Sequence, residues 1–241
     1  MGNEKLKRNP PWQRDELILA LDLYFKLEPS EMASTNEKVI ELSKTLNSLP
    51  IHEERPNAET FRNANGVEMK LINLRRLDPS YTGKGLERGG KLEVEVWNEF
   101  ASDRDKLHKV ANGIKSGIKV IINFPKSNIE DDEKEFPEGK VLYRLHRQRE
   151  RNQKAVVEIK QKAFESGKLY CQVCGFDFYK AYGELGKGFI ECHHTIPVSS
   201  YEENQKTRMK DLVLVCSNCH RMLHRRRPWL SINELTRLIA K

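Results

Sequence analysis

The sequence predicts an α+β chain in two parts, a mainly helical module over about the first 120 residues and a small mixed domain held by metal after about residue 140. Three observations carry this. Apolar residues recur at helical spacing from Pro11 to Gly117. The composition turns acidic and irregular between Phe124 and Gly139. None of the five cysteines lies before Cys171. With 241 residues the chain is long enough for two modest domains, since domains commonly run to ~100–150 residues.

In the first part, Asp15 is placed to cap a helix carrying Leu17, Leu21 and Tyr24 on one face, with Ile18 and Phe25 widening the stripe. A second helix is expected from Asn36 to Leu49, burying Val39, Leu42 and Leu46 and stopping before Pro50. The run from Asn57 to Leu77 follows, with Phe61, Val67, Met69, Leu71, Leu74 and Leu77 among basic residues. Gly83, Gly85, Gly89 and Gly90 mark an exposed loop. One further helix, about Leu92 to Lys115, closes the module around Val96, Phe100, Leu107, Val110 and Ile114. Residues 121–139 read as an acidic linker. A long basic helix, about Lys140 to Ser166, then carries Val141, Leu145, Val156, Ile159 and Ala163, and Gly167 is placed to end it.

The formal net charge is +7, with 32% charged residues against 38% hydrophobic ones, which describes a soluble chain with limited core material. Between Lys140 and Lys168 nine Lys or Arg face three Glu, and Arg225, Arg226 and Arg227 form a second basic run. A solvated helix face explains such charge, and so does a phosphate-binding surface. No stretch approaches the ~18 consecutive apolar residues of a membrane helix, and the polar start lacks a signal-peptide core. The expected location is the cytoplasm, with no membrane partner.

Disulfides do not persist in a reducing compartment, so clustered cysteines there point to metal. Cys171 and Cys174 form one CxxC pair and Cys216 and Cys219 another, 41 residues lying between Cys174 and Cys216. Two such knuckles complete a tetrahedral four-thiolate zinc site, with Zn–S distances of ~2.3 Å. Cys192 is left over and reads as a strand residue without a ligand role. Within the clamp lies Glu191-Cys192-His193-His194-Thr195-Ile196-Pro197, answered by His220 and, one helical turn later, His224. Adjacent histidines on a strand point to opposite faces, so His193 and His194 have different roles, whereas i and i+4 put His220 and His224 on one face. An ion satisfied by four sulfurs needs none of these imidazoles.

The ordered strings CQVCGFDF, ECHHTIP and DLVLVCSNCHRMLH, from Tyr170 to His224, resemble the HNH endonuclease family in its four-cysteine form. The resemblance implies a ββα-metal fold, a two-stranded ribbon bearing the histidine pair packed on a helix bearing further ligands. Carried over by position, it implies His193 and His220 as ligands of a catalytic divalent ion, Mg2+ or another such as Mn2+, His224 as a further ligand of that ion or a phosphate contact, and His194 as general base. The middle position of the motif falls on Asp211, which can accept the hydrogen bond that positions the base; Asn218 is the other candidate and sits between two zinc cysteines. The implied reaction is hydrolysis of DNA to 5′-phosphate and 3′-hydroxyl ends.

The strings RDELILALDLYF, FRNANGVEMKLINLRRLDP and VWNEF resemble modules ahead of HNH domains in restriction-type bacterial endonucleases. This implies restriction of foreign double-stranded DNA, including cytosine-modified DNA as in McrA-like enzymes. Arg62, Asn63, Asn65, Lys70, Arg75 and Arg76 carry the chemistry for DNA contacts, as do Arg144, Arg147 and Arg225 to Arg227. An aromatic cage for a flipped base would require Trp12, Tyr81 or Trp97 to converge. Cutting both strands with one site per chain implies a homodimer. Two alternatives stay open: a zinc-ribbon DNA-binding protein without catalysis, which leaves the histidines unexplained, and a homing or phage-type nuclease.

Overall fold

A computed structural model describes residues 8–52, 54–83, 89–123, 139–142, 144, 154–195, 208–226 and 229–239, with residues 119–123 described through their backbone. The expected linker falls almost wholly outside these residues, as do Gly85, Leu145, Arg147, Ile196, Pro197 and Arg227. The chain divides into two compact units, Met1–Glu130 with Glu138–Leu142, and Asp131–Pro137 with Tyr143–Lys241. No helix among the described residues is long and apolar enough to cross a membrane.

The first unit is helical. Helix α1 (Arg14–Tyr24) is packed by α2 (Glu37–Ser48), α3 (Ala64–Arg75), α4 (Lys91–Phe100) and α5 (Arg104–Asn123). Being surrounded, α1 buries nearly its whole circumference, from Asp15 to Asp22 and Tyr24, rather than the single face its periodicity suggests. Its N-cap is Gln13, whose backbone N–H donates to Glu16 Oε2 at 2.6 Å. Asn36 caps α2 through Lys38 N, and Val39, Leu42 and Leu46 are buried as expected. The segment read as one helix from Leu92 to Lys115 is two helices, because the Asp103 side chain accepts from Lys106 N at 2.9 Å and starts α5 afresh. Phe61, Leu71, Leu74, Val96, Phe100, Leu107 and Ile114 complete the core, which also takes in Val141 and Leu142.

Two buried acids on α1 hold this unit's far-separated segments. Glu16 receives Arg62 Nε at 2.6 Å and Nη2 at 2.9 Å, and His52 Nε2 lies 3.1 Å away. Burial works to raise the Glu16 carboxyl, but the hydrogen bonds of His52 and Arg62 outweigh it and hold the group below the usual carboxylate range. Asp15 Oδ2 accepts the Lys140 backbone N–H at 2.7 Å. The approach is close enough to demand Gly139, which has φ +100° and where a Cβ would lie 2.3 Å from the Asp15 carboxylate.

Burial, partly opposed by backbone N–H groups including that of Lys140, raises the Asp15 pKa to about 7. A carboxyl raised on folding stabilises the fold fully below its unfolded pKa near 4, and loses that contribution as pH rises through the folded value. Asp15→Asn keeps an acceptor for Lys140 N and removes the titration. Urea unfolding at pH 5 and pH 8 is expected to show wild type losing on the order of 2–4 kcal/mol more than the variant. Equal losses would show that folding does not raise the Asp15 carboxyl.

The second unit contains α6 (Lys154–Glu165), α7 (Phe178–Tyr182), β1 (Glu191–His194), β2 (Leu212–Val215), α8 (Ser217–Leu223) and α9 (Ile232–Ile239). Gly167, at φ +67°, ends α6 as expected, with Lys168 N donating to Ala163 O at 2.7 Å. The two strands are antiparallel, pairing Glu191 with Val215, Cys192 with Leu214, His193 with Val213 and His194 with Leu212. Directly paired residues share a face, so the ribbon has two distinct sides. Cys192, Leu212 and Leu214 pack with Val156 and Ile190 beside Ile159 and Ala163 of α6. Val213 and Val215 pack on the other side with the cysteines, Leu223, Leu230 and Leu235. A small hairpin so divided supplies two thin apolar layers and little depth, which is where cross-linking by metal has most effect.

Candidate metal centres

The sulfurs of Cys171, Cys174, Cys216 and Cys219 all lie within 4.8 Å of one another. Cys174 Sγ is 3.7 Å from Cys216 Sγ, close to the ~3.8 Å that a tetrahedral ion at ~2.3 Å from each sulfur imposes. Local structure makes both knuckles. The turn after Cys171 closes through Gly175 N to Cys171 O at 2.8 Å and Cys171 N to Phe176 O at 2.9 Å. Cys216 is the N-cap of α8, its sulfur accepting from Cys219 N at 3.4 Å.

The electrostatics favour a cation here. Burial raises the Cys171 thiol, yet backbone N–H groups of Cys174, Cys216 and Val173 outweigh it and bring it down to about 7. Burial and the neighbouring sulfurs of Cys216 and Cys174 push Cys219 well up, because four crowded thiolates cannot all ionise without a counter-charge. A divalent ion removes that conflict. Cys192 is buried on the α6 side of β1, apart from this group.

A second donor set is built from imidazole. One ring nitrogen from each of His193, His220 and His224 lies within 4.8 Å of the others. Their ring centroids are 5.2 Å apart for His193 and His220, 4.9 Å for His193 and His224, and 5.1 Å for His220 and His224. Strand alternation explains the membership. His193 shares the side of Glu191, Val213 and Val215, facing α8, whereas its neighbour His194 shares the side of Cys192 and Leu212. His194 is buried and outside the three-imidazole group.

His220 is oriented by Glu191, whose Oε2 lies 2.5 Å from His220 Nδ1. That contact directs Nε2 toward the group, the arrangement by which a carboxylate fixes the tautomer of a ligating histidine. Glu191 is two residues before His193, the strand spacing that puts both on one face, so its place was readable although no role was assigned to it. Trp229 was missed entirely. Its ring lies 4.3 Å from that of His224 and 6.3 Å from that of His193. Nothing in the spacing announces it, because it arrives by a chain reversal closed by Leu230 N to Leu223 O at 3.2 Å.

Asp211 is buried and precedes β2; its carbonyl accepts from Thr195 N at 2.9 Å and Thr195 Oγ1 at 3.2 Å, closing the ribbon beside His194. Asn218 lies in the first turn of α8. Arg62, Lys70, Arg75 and Arg76 of the first unit are engaged locally. Arg62 is buried on Glu16, also donating to Pro10 O and Pro11 O at 3.0 Å, with its guanidinium over the Trp12 ring. Lys70 and Arg76 converge on Glu93, and Arg75 lies over the Tyr81 ring at 4.2 Å. Asn63 caps α3 through Gly66 N. Trp97 packs on Tyr24 and Phe25, so Trp12, Tyr81 and Trp97 each have separate ring contacts. Arg144 is half-buried, and Arg225 and Arg226 are exposed just past His224.

The second unit thus brings together four sulfurs able to hold one metal ion and three imidazoles able to hold another. No curated protein and no solved structure matches the chain. Residues 171–226, which span both donor sets, match the family model described as HNH endonuclease.

Proposed function

We propose that the protein is a metal-dependent DNA endonuclease of restriction or defence type, in which the four cysteines hold a structural Zn2+ and the three histidines a second, catalytic divalent ion. The observation that carries this reading is the pair of donor sets within one 56-residue family match, one of sulfur and one of nitrogen. The four thiolates suit zinc, which takes tetrahedral sulfur in closed structural sites. Three imidazoles suit a transition ion best, with Mn2+ at the hard end of that range, and Mg2+ would have to complete its shell with water or phosphate oxygen at the second position. A zinc-ribbon without catalysis accounts for the cysteines alone and gives no reason for the three imidazoles to converge.

In this reading His194 is the general base, since imidazole titrates near neutrality and takes a proton from water at physiological pH. The water's oxygen forms the new bond to phosphorus as the bond to the 3′ oxygen breaks, leaving 5′-phosphate and 3′-hydroxyl ends. When bound at His193, His220 and His224, the ion stabilises negative charge on the phosphoryl group and on the departing oxygen. Glu191 keeps His220 in one tautomer, and the Asp211 carbonyl, through Thr195, holds the strand that carries His194. Arg225 and Arg226, exposed at the end of the same helix, serve as phosphate contacts on duplex DNA.

The test is plasmid relaxation by the full chain with Mg2+ or Mn2+, against EDTA. Metal-dependent nicking or linearisation is expected, and binding without any cutting under every metal condition would favour the non-catalytic reading. Matched plasmids bearing cytosine, methylcytosine or hydroxymethylcytosine extend the test. Preferential cutting of the modified substrates supports modification dependence, and equal cutting of all three removes it. Concentration-dependent conversion of nicks to double-strand breaks would support action as a homodimer.

A further inference from the structure

We propose that Trp229 is a positioning residue for the histidine-bound ion, acting by holding the His224 ring in its ligating orientation. The inference rests on the metal-dependent reading above and assigns a residue that the motif spacing leaves out.

The three imidazoles are not equally supported by their own backbone. His193 lies within the β1–β2 ladder, and His220 lies within α8, where Glu191 fixes Nδ1. His224 is the C-cap of α8, with φ −89° and ψ −2°, at the point where the helix stops. A ring there lies over the preceding turn, beside His220, and the chain that leaves the helix supplies further surroundings for it.

The chain beyond His224 provides that support. Leu230 N donates to Leu223 O at 3.2 Å, and Leu230 is buried with Leu223, Leu235, Cys216 and Cys219. This anchors the residue next to Trp229 in the layer around the sulfurs. The Trp229 ring then meets the His224 ring edge to face, at 4.3 Å between centroids and 83° between planes. Its distance to the His193 ring is 6.3 Å. An edge-to-face contact of this kind restricts rotation of the imidazole plane, which decides where the ring nitrogen points. Glu191 does for His220 with a hydrogen bond what Trp229 does for His224 with packing. A further consequence follows for assembly: because Leu230 is seated among the cysteines, completing the sulfur site helps seat the tryptophan beside the imidazole site.

The test uses the full chain with zinc in its thiolates, titrated calorimetrically with Co2+ as the probe of the imidazole site. Wild type, Trp229→Phe, Trp229→Ala, His224→Ala and the double variant Trp229→Ala/His224→Ala are compared, each checked for one bound zinc and unchanged far-ultraviolet circular dichroism. Trp229→Ala is expected to weaken Co2+ binding by about 10- to 100-fold, the usual effect of losing an outer support of a metal ligand. Trp229→Phe, which keeps an aromatic edge, is expected to stay within about threefold of wild type. In the His224→Ala background, Trp229→Ala should change affinity by less than about twofold, since the ring it positions is gone. Wild-type affinity in Trp229→Ala, or an equal loss with and without His224, overturns the proposal while leaving the metal reading intact. Failure of zinc-loaded wild type to take up any Co2+ overturns both.

Discussion

His194→Ala is expected to lower DNA cleavage by about 10²–10⁴-fold while leaving the metal content and the fold unchanged. That range is what a positioned general base contributes to proton transfer in the transition state. The case for sparing the rest comes from the membership of the two donor sets. His194 is the last residue of β1, paired with Leu212, and belongs neither to the four sulfurs nor to the three clustered imidazoles. Removing it therefore takes nothing from either donor set. The check is single-turnover cleavage of a labelled duplex, with bound zinc and Co2+ uptake measured on the same preparations. His220→Ala serves as the contrasting variant, expected to lose cleavage together with the second ion. Full cleavage by His194→Ala would end its assignment as base, and loss of the second ion in that variant would show it to be a ligand instead.

The second large effect concerns the sulfurs. Cys216→Ser is expected to unfold the second unit and leave the first one folded. Structural zinc contributes ~10–16 kcal/mol of apparent binding free energy that is also folding free energy, comparable with or above the ~5–15 kcal/mol total stability of a typical domain. The hairpin cannot compensate, because its sulfur-side layer consists of Val173, Val215, Leu223, Leu230, Leu235 and the cysteines themselves. Cys216 also caps α8, a role that serine keeps, so the expected loss comes from the missing zinc ligand and not from the start of the helix. The first unit has its own core, from Leu17 to Leu142, with no cysteine in it. Limited proteolysis should leave a protected amino-terminal fragment and degrade the rest, and the bound zinc should fall to near zero. A variant still carrying stoichiometric zinc and a protected second unit would contradict this view of the thiolate site.

What could be read in the sequence was whatever local spacing determines. The α2 helix follows from an Asn36 cap and apolar residues at Val39, Leu42 and Leu46, and it ends before Pro50. The paired CxxC knuckles, and the different sides taken by His193 and His194, follow from turn and strand periodicity in the same way. What escaped depended on partners distant in the chain. Periodicity gave α1 one buried face, yet four helices surround it and bury Asp15 and Glu16 as well. The charge of Arg62, Lys70 and Arg76 was visible, but not that Glu16 and Glu93 would engage them. One apolar run from Leu92 to Lys115 concealed the break at Asp103, because a cap competes with helix continuation without disturbing the apolar pattern. Trp229 reaches His224 through a reversal whose closing hydrogen bond has no sequence signature.

The central claim is that one short fold holds two ions with different donors and different duties. Native mass spectrometry of the full chain, loaded with zinc and then Co2+, addresses it most directly. Two ions per chain are expected in wild type, and one in His193→Ala/His220→Ala, with the second unit still folded and cleavage lost. A single ion in wild type, or two ions and full cleavage in the double variant, would contradict the account.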